Sequence, residues 1–206
     1  MAHVTGAVPL ETTVDAAAAP GLARPGERSA PLAVGVMIWL ASELMFFAGL
    51  FAAWFVLRAE GGEAWPYGAE LDIPRAAIAT AVLVLSSFTI HAAVVNAERG
   101  RLAQARRLLF VTMALGTLFI ANLLWEYYGL DFTFDGNAYG TIFYLLTGFH
   151  GAHLVGGLVA MGLLAWVIFS AGSRTPPAQS LRVMSFYWHF VDAVWVVLFT
   201  VVYLIG

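Results

Sequence analysis

The hydrophobic and polar positions divide the chain into a polar N-terminal stretch and five long apolar segments. The apolar segments cover residues 33–57, 76–97, 108–127, 139–170 and 183–205. A helix needs about 20 mainly apolar residues to cross a bilayer, and each segment reaches that length. None has the short alternating pattern of a strand in a transmembrane β-barrel. The pattern therefore predicts an all-α, polytopic membrane protein built as a bundle of five transmembrane helices.

The first 32 residues differ from the rest of the chain. They contain four prolines, scattered charges and the alanine run Ala16–Ala19, a composition typical of a disordered segment. The opening residues, MAHVTGAV, lack the basic start and the apolar centre of a secretory signal. We therefore expect residues 1–32 to form a disordered cytoplasmic tail and residues 33–206 to form the transmembrane domain.

Arginines are concentrated in the connections on the side of the N-terminus. Eight lie there, and only Arg58 and Arg75 lie on the opposite side among several carboxylates. Because positively charged connections tend to stay in the cytoplasm, the N-terminus is predicted to be cytoplasmic and the C-terminus to lie outside. The eight are Arg24, Arg28, Arg99, Arg101, Arg106, Arg107, Arg174 and Arg182.

Composition excludes several classes of function. Apolar residues make up 61% of the chain, charged residues only 11%, and the mean hydropathy is +0.81, so most of the chain cannot face water. A net charge of −3 gives no reason to expect nucleic acid as a partner. The absence of cysteine excludes disulfides, zinc fingers and iron–sulfur clusters. All ten basic residues are arginine, which excludes Schiff-base chemistry on lysine.

Ionisable side chains inside the apolar segments are the candidate functional residues, because such groups are costly in a bilayer. Histidines that lie at a similar depth to carboxylates suit a zinc or iron site. Two facing histidines suit a haem. The same residues also fit a hydrogen-bonded polar cluster that fixes helix packing. Spacing alone leaves these alternatives open. The candidates are Glu43, His91, His150, His153, His189 and Asp192.

Glu43 lies in the run SELMFFAGLF, where its carboxyl group is surrounded by apolar side chains. His91 and His150 are its candidate partners. We favour His91, because consecutive helices are usually neighbours in space.

Small residues recur at four-residue spacing in the fourth segment, at Gly148, Ala152, Gly156 and Ala160. Such a stripe lets helix backbones approach closely in a membrane. We therefore expect it to be a tight packing surface within the bundle.

Several motifs together resemble subunit III of the haem-copper respiratory oxidases, in its short five-helix form. They are SELMFFAGLF at 42–51, SSFTIHAAVVNAERG at 86–100, WEYYGL at 125–130, YGTIFYLLTGFHGAHLVGGL at 139–158 and FYWHFVDAVWVVLFTVVYL at 186–204. They occur in the order found in the family and span nearly all of residues 34–206. The sequence PAQ at 177–179 resembles actinobacterial members. The two additional N-terminal helices of the long form are absent, and Ala92 stands where many long-form members have a second histidine.

The resemblance implies a non-catalytic subunit of an aerobic cytochrome c oxidase complex in the bacterial plasma membrane. Such a subunit packs on subunit I and supports proton uptake and lasting activity while subunits I and II reduce oxygen to water. Haem and copper belong to those partners, so the resemblance implies no metal and no cofactor bound by this chain, although phospholipid is expected. A cytochrome bc-type complex is a further expected partner, within a supercomplex.

The resemblance also assigns expected roles to the candidate residues. Glu43 matches the family's buried carboxylate, with a proton-linked or structural role. The histidines and Asp192 become structural or lipid-headgroup contacts. The basic connection is expected to lie near the proton-entry side and to hold anionic lipid; its members are Arg99, Arg101, Arg106 and Arg107.

Three other readings remain at this point. One is subunit III of a quinol oxidase, which differs in lacking the copper site of its partner subunit II. Another is an accessory protein of nitric oxide reductase. The third is a stand-alone membrane cytochrome b or a small transporter using Glu43 and the histidines, although the lack of internal proline in the apolar segments counts against a transporter.

Overall fold

The computed structural model describes residues 29–66, 68–170 and 177–206, and these residues contain five α helices and no strand. Each helix is long and apolar enough to cross a membrane, which confirms the predicted all-α membrane bundle. The helices are α1 (Ser29–Gly61), α2 (Ile73–Glu98), α3 (Leu102–Gly129), α4 (Ala138–Phe169) and α5 (Pro177–Phe199). A short 3₁₀ helix, Gly62–Ala64, follows α1, and a π-helical turn, Thr200–Ile205, continues α5.

The helices extend beyond the apolar segments that predicted them, because polar residues at the ends continue the helical hydrogen bonding. The first helix begins at Ser29 rather than at residue 33. The third begins at Leu102 rather than at 108, and the fifth at Pro177 rather than at 183. Residues 1–28 of the predicted tail lie outside the described residues, as do residues 171–176 with Arg174.

Side-chain caps and one glycine define the helix starts and a chain reversal. The Asp72 carboxylate accepts a hydrogen bond from the backbone N–H of Arg75, 3.1 Å away, at the start of α2. Asn137 caps α4 in the same way, accepting from the Gly140 N–H at 2.8 Å. Between α2 and α3, Gly100 has a φ of 72°, a conformation that side chains with a Cβ rarely adopt.

The bundle has a central helix and a peripheral one. The central helix, α2, packs mainly against α3 and α5, and α4 closes the bundle against the same two helices. By contrast, α1 packs against α4 and α5, the helices furthest from it in sequence. Most of the α1 surface is consequently exposed in the isolated chain.

The two ends of the bundle differ in charge. We call the end with the α2–α3 connection, which carries Arg99 and Arg101, the arginine end, and the opposite end the acidic end. The acidic end holds the connections at 62–72 and 130–137. There the rings of Trp54, Trp65 and Tyr139 pack together with centroid separations of 5.0–5.4 Å, joining α1 to the start of α4.

Close helix approach occurs at glycines other than those of the predicted stripe. A Cβ at Gly157 would lie 2.8 Å from a ring atom of Tyr187, and one at Gly116 would lie 2.8 Å from a ring atom of Trp188. The prediction that the four-residue stripe forms a tight packing surface was wrong. Its members Ala152 and Gly156 are exposed, because the face of α4 that meets α5 is rotated toward Gly157.

Candidate functional site: separate polar groups within the bundle

The carboxylate of Glu43 contacts His153 rather than either predicted partner. Its Oε2 lies 2.9 Å from Nε2 of His153, so the pair joins α1 to α4. The preference for His91 was wrong because α1 packs on α4 and α5 rather than beside α2. His150, the other candidate, does not take part because it faces the interior of the bundle, where it is fully buried.

The hydrogen bonds of His153 determine how many protons this pair can hold. The ring Nδ1 lies 2.7 Å from the carbonyl oxygen of Phe149. A carbonyl only accepts, so Nδ1 carries a hydrogen and donates it. The bond between Nε2 and the Glu43 oxygen then needs one further proton, on the carboxyl group or on the imidazole. One proton therefore lies in the bond between Nε2 and Oε2, where α1 meets α4.

An open groove lies beside this pair, between α1, α4 and α5. It has a volume of about 660 Å³ and is lined by Ala152, His153, Gly156 and Tyr187, among others. The Tyr187 hydroxyl donates to the carbonyl oxygen of His153 at 2.7 Å. Its ring stacks on Trp39 with a centroid separation of 5.3 Å. Three small residues of the predicted stripe, Ala152, Gly156 and Ala160, thus line this groove.

A second polar group joins α2 to α5. Ser87 lies between the two polar residues of the last helix, with its hydroxyl oxygen 3.0 Å from Nδ1 of His189 and in hydrogen-bond contact with Oδ2 of Asp192. Asp192 is buried and His189 partly buried. The three-residue spacing of His189 and Asp192 in the sequence puts both on one face of α5, and Ser87 is the partner that spacing could not identify.

The two remaining histidines are not among the side chains hydrogen-bonded within these groups. His150 is fully buried and packs against Trp195 at 4.8 Å and Phe119 at 6.0 Å between ring centroids. His91 is exposed on α2. The predicted polar cluster is divided within this chain, because His189 and Asp192 share Ser87 at the α2–α5 contact whereas His153 pairs with Glu43 between α1 and α4. The described residues contain no group of three or more His, Cys, Asp or Glu side chains placed to hold a metal ion.

Sequence reasoning missed a buried carboxyl group near the acidic end. Glu126, in the WEYYGL motif, is not among the predicted ionisable candidates but is only 7% exposed. Its Oε1 accepts a hydrogen bond from the Tyr203 hydroxyl at 3.0 Å, joining α3 to the end of α5. Its place inside the predicted segment 108–127, one residue before the end, was the available signal, and the helix continues beyond it to Gly129.

Tryptophan N–H groups supply further bonds between α5 and α2. Trp188 donates to Ser86 at 2.8 Å, and Trp195 donates to Thr80 at 2.9 Å. These bonds give Ser86 and Thr80 of α2 partners on α5.

The predicted basic connection lies at the arginine end. All four of its arginines are exposed; they are Arg99, Arg101, Arg106 and Arg107. Nearby, the guanidinium of Arg182 on α5 forms an ion pair with Glu98 at the end of α2. The basic connection is thus accessible at the surface, and its neighbouring helix ends are joined by one exposed ion pair.

This arrangement defines a class of protein: a polytopic helical membrane protein whose intramembrane polar residues are used mainly to join its helices. The family model described as "Cytochrome c oxidase subunit III" matches residues 26–206. The chain belongs to the cytochrome c oxidase subunit III family, and the resemblance drawn from the sequence motifs is confirmed.

Named relatives agree with this assignment. The "Probable cytochrome c oxidase subunit 3" of Mycobacterium leprae is 46% identical over 179 residues, covering 84% of this chain and 88% of the relative. The protein of the same name from Nocardia farcinica is 46% identical over 180 residues with the same coverage. A more distant relative, "Cytochrome c oxidase subunit 3" of Thermostichus vulcanus, is 33% identical over 174 residues, covering 84% of this chain and 86% of the relative. Subunit III of a cytochrome c oxidase is therefore the function supported over the quinol oxidase alternative.

Proposed function

We propose that this chain is a non-catalytic subunit of the oxidase that packs on subunit I. Subunits I and II of the complex hold the haem and copper. The observation that carries the proposal is the use of the intramembrane polar residues. Glu43 with His153, and Ser87 with His189 and Asp192, form hydrogen bonds between helices of this chain. Groups engaged in this way stabilise helix packing and are poorly placed to act as metal ligands.

The surface of α1 supports a docking role in the complex. Large apolar side chains are exposed along it, including Met45 at 76%, Met37 at 58% and Phe55 at 47%. In the membrane these side chains contact lipid chains or apolar helices of a neighbouring subunit. Subunit I is the neighbour that the family assignment favours, and its contact would complete the packing that α1 lacks within this chain.

The distribution of charge supports an orientation in the bacterial plasma membrane. The arginine end is expected to face the cytoplasm, with the C-terminus outside. Exposed arginines near an anionic leaflet each contribute on the order of 1 kcal/mol of attraction. The basic connection would therefore hold phospholipid head groups close to the side from which protons enter the oxidase. Association with a cytochrome bc-type complex stays a prediction from the resemblance.

Removing the chain tests its non-catalytic role. An oxidase purified without it should keep its haem and copper content, measured by the visible spectrum and metal analysis, but lose activity sooner during turnover. Restoring the chain from a second copy of its gene is the control. Loss of haem from an otherwise assembled complex would contradict the proposal, because it would place a cofactor on this chain.

The variant Glu43→Gln separates a structural from a proton-linked role for the Glu43–His153 pair. A glutamine amide can donate to His153 Nε2 while Nδ1 still donates to Phe149, so the bond between helices is kept and the exchangeable proton of the pair is lost. We expect assembly to be unchanged and sustained turnover to fall modestly, whereas Glu43→Ala should weaken the attachment of α1. Complete loss of oxygen reduction by an assembled Glu43→Gln oxidase would contradict a supporting role.

A further inference from the structure

Most buried polar side chains in the described part of the chain have a hydrogen-bond partner, and the exceptions are concentrated at three places. Both ring nitrogens of His150, Oδ1 of Asp192 and Nε1 of Trp54 are buried without one. A buried polar group left unpaired is strongly unfavourable. Each exception therefore needs a physical explanation.

The indole of Trp54 has an explanation within the chain. Its ring meets that of Trp65 edge to face, with an interplanar angle of 88° and a centroid separation of 5.1 Å. An N–H group in such an aromatic environment can point at a ring face, which accepts it weakly.

The imidazole of His150 is a different case, because it needs both a donor and an acceptor. A neutral imidazole carries one N–H and one lone pair. The rings of Phe119 and Trp195, which pack against it, have no acceptor or donor that can satisfy both nitrogens. His150 is 0% exposed within this chain alone. Consequently neither a lipid nor a side chain of another subunit can reach it without displacing this chain's own residues.

The carboxyl group of Asp192 is half satisfied. Its Oδ2 is in contact with the Ser87 hydroxyl, whereas Oδ1 is buried without a partner. The side chain is 5% exposed, so it too is enclosed by this chain. A metal ion is an unsuitable partner because the described residues provide no set of three His, Cys, Asp or Glu ligands around it.

We propose that the interior of the bundle binds water at two sites, one at the ring nitrogens of His150 and one at Oδ1 of Asp192. Water suits both sites chemically because it can both donate and accept a hydrogen bond. Buried water usually satisfies polar groups that lack a protein partner and is part of the folded structure. At Asp192 it extends the row formed by His189, Ser87 and the carboxyl group across the α2–α5 interface.

The test is an electron cryomicroscopy map of the purified oxidase containing this chain, at a resolution that shows ordered water elsewhere in the membrane region. We expect density for water within about 3.2 Å of a His150 ring nitrogen and of Asp192 Oδ1. Absence of density at both sites, or a side chain of this chain bonded to those atoms, would overturn the proposal. Water at only one site would overturn the assignment of the other.

Two variants of His150 provide an independent test by thermal unfolding of the complex. His150→Gln keeps one donor group and one acceptor and should retain the water and the unfolding midpoint. His150→Phe removes both polar atoms and should lose the water at this site while keeping the one at Asp192. If no water were bound at His150, replacing it by phenylalanine would remove an unpaired buried polar group and stabilise the bundle. A clear rise in the unfolding midpoint of His150→Phe, without a rise for His150→Gln, would therefore overturn the proposal.

Discussion

Replacing Gly157 by alanine should weaken the packing of α4 on α5. A Cβ at this position would lie 2.8 Å from Cε1 of Tyr187 and 3.1 Å from Cζ3 of Trp188, closer than carbon atoms normally pack. The Tyr187 ring cannot easily move away, because its hydroxyl is bonded to the His153 carbonyl and its face is stacked on Trp39. The indole of Trp188 is held by its bond to Ser86.

The expected loss follows from the cost of overpacking an ordered interior. Added carbons that force such shifts typically cost about 1–3 kcal/mol, which corresponds to roughly a 5- to 150-fold change in an equilibrium constant. Alanine also gains up to about 1 kcal/mol over glycine in helix propensity, which offsets part of the loss. The neighbouring Gly156→Ala shares that gain, but its Cβ would meet only the Tyr187 hydroxyl, at 3.9 Å.

The measurement compares the two variants in the purified oxidase. The temperature at which this chain dissociates is followed by size-exclusion chromatography after brief heating, with quantification of the retained chain. Gly157→Ala should dissociate at a lower temperature than the unmodified complex, and Gly156→Ala should not. Equal behaviour of the two variants would refute the reasoning that close approach at Gly157 determines the α4–α5 contact.

Two further predictions concern other contacts of α5. Tyr203→Phe removes the donor to Glu126 and should cost about 1–3 kcal/mol in thermal stability, since it leaves a buried carboxyl oxygen unpaired. Glu126→Gln should cost less, because its amide oxygen still accepts the hydrogen bond. A larger loss of stability for Glu126→Gln than for Tyr203→Phe would contradict this reasoning. Arg182→Gln breaks the exposed ion pair with Glu98 and should change thermal stability by less than about 1 kcal/mol. The difference from the unmodified protein should shrink as salt is added. A larger loss that does not depend on salt would show that Arg182 has another role.

The fold was predictable because the length of an apolar run is dictated by membrane thickness. Five such runs predict five helices regardless of how those helices pack. Helix ends were less predictable because polar residues such as Ser29 and Gln104 belong to helical turns outside the apolar run. The composition of a segment does not reveal where its hydrogen bonding stops.

The polar pairs were only partly predictable, because sequence gives the face of a residue on its own helix and not the helix opposite that face. The spacing of His189 and Asp192 placed them together, as the structure shows. The partner of Glu43 was misassigned because the rule that consecutive helices adjoin does not hold for α1. Likewise, the four-residue spacing that includes Gly156 identified a line of small residues. It did not identify what that line faces, which is the groove.

The attachment of α1 to α4 has a consequence for biosynthesis. The side chain of Glu43 meets His153, which is 110 residues further along the chain. At ribosomal rates of about 5–20 residues per second, roughly 5–20 s pass between their syntheses. During that interval the nascent first helix carries an unmatched carboxyl group into the membrane. The first helix must therefore insert with an unpaired carboxyl group. Lipid head groups or the translocation machinery have to solvate that group until the fourth helix has been synthesised.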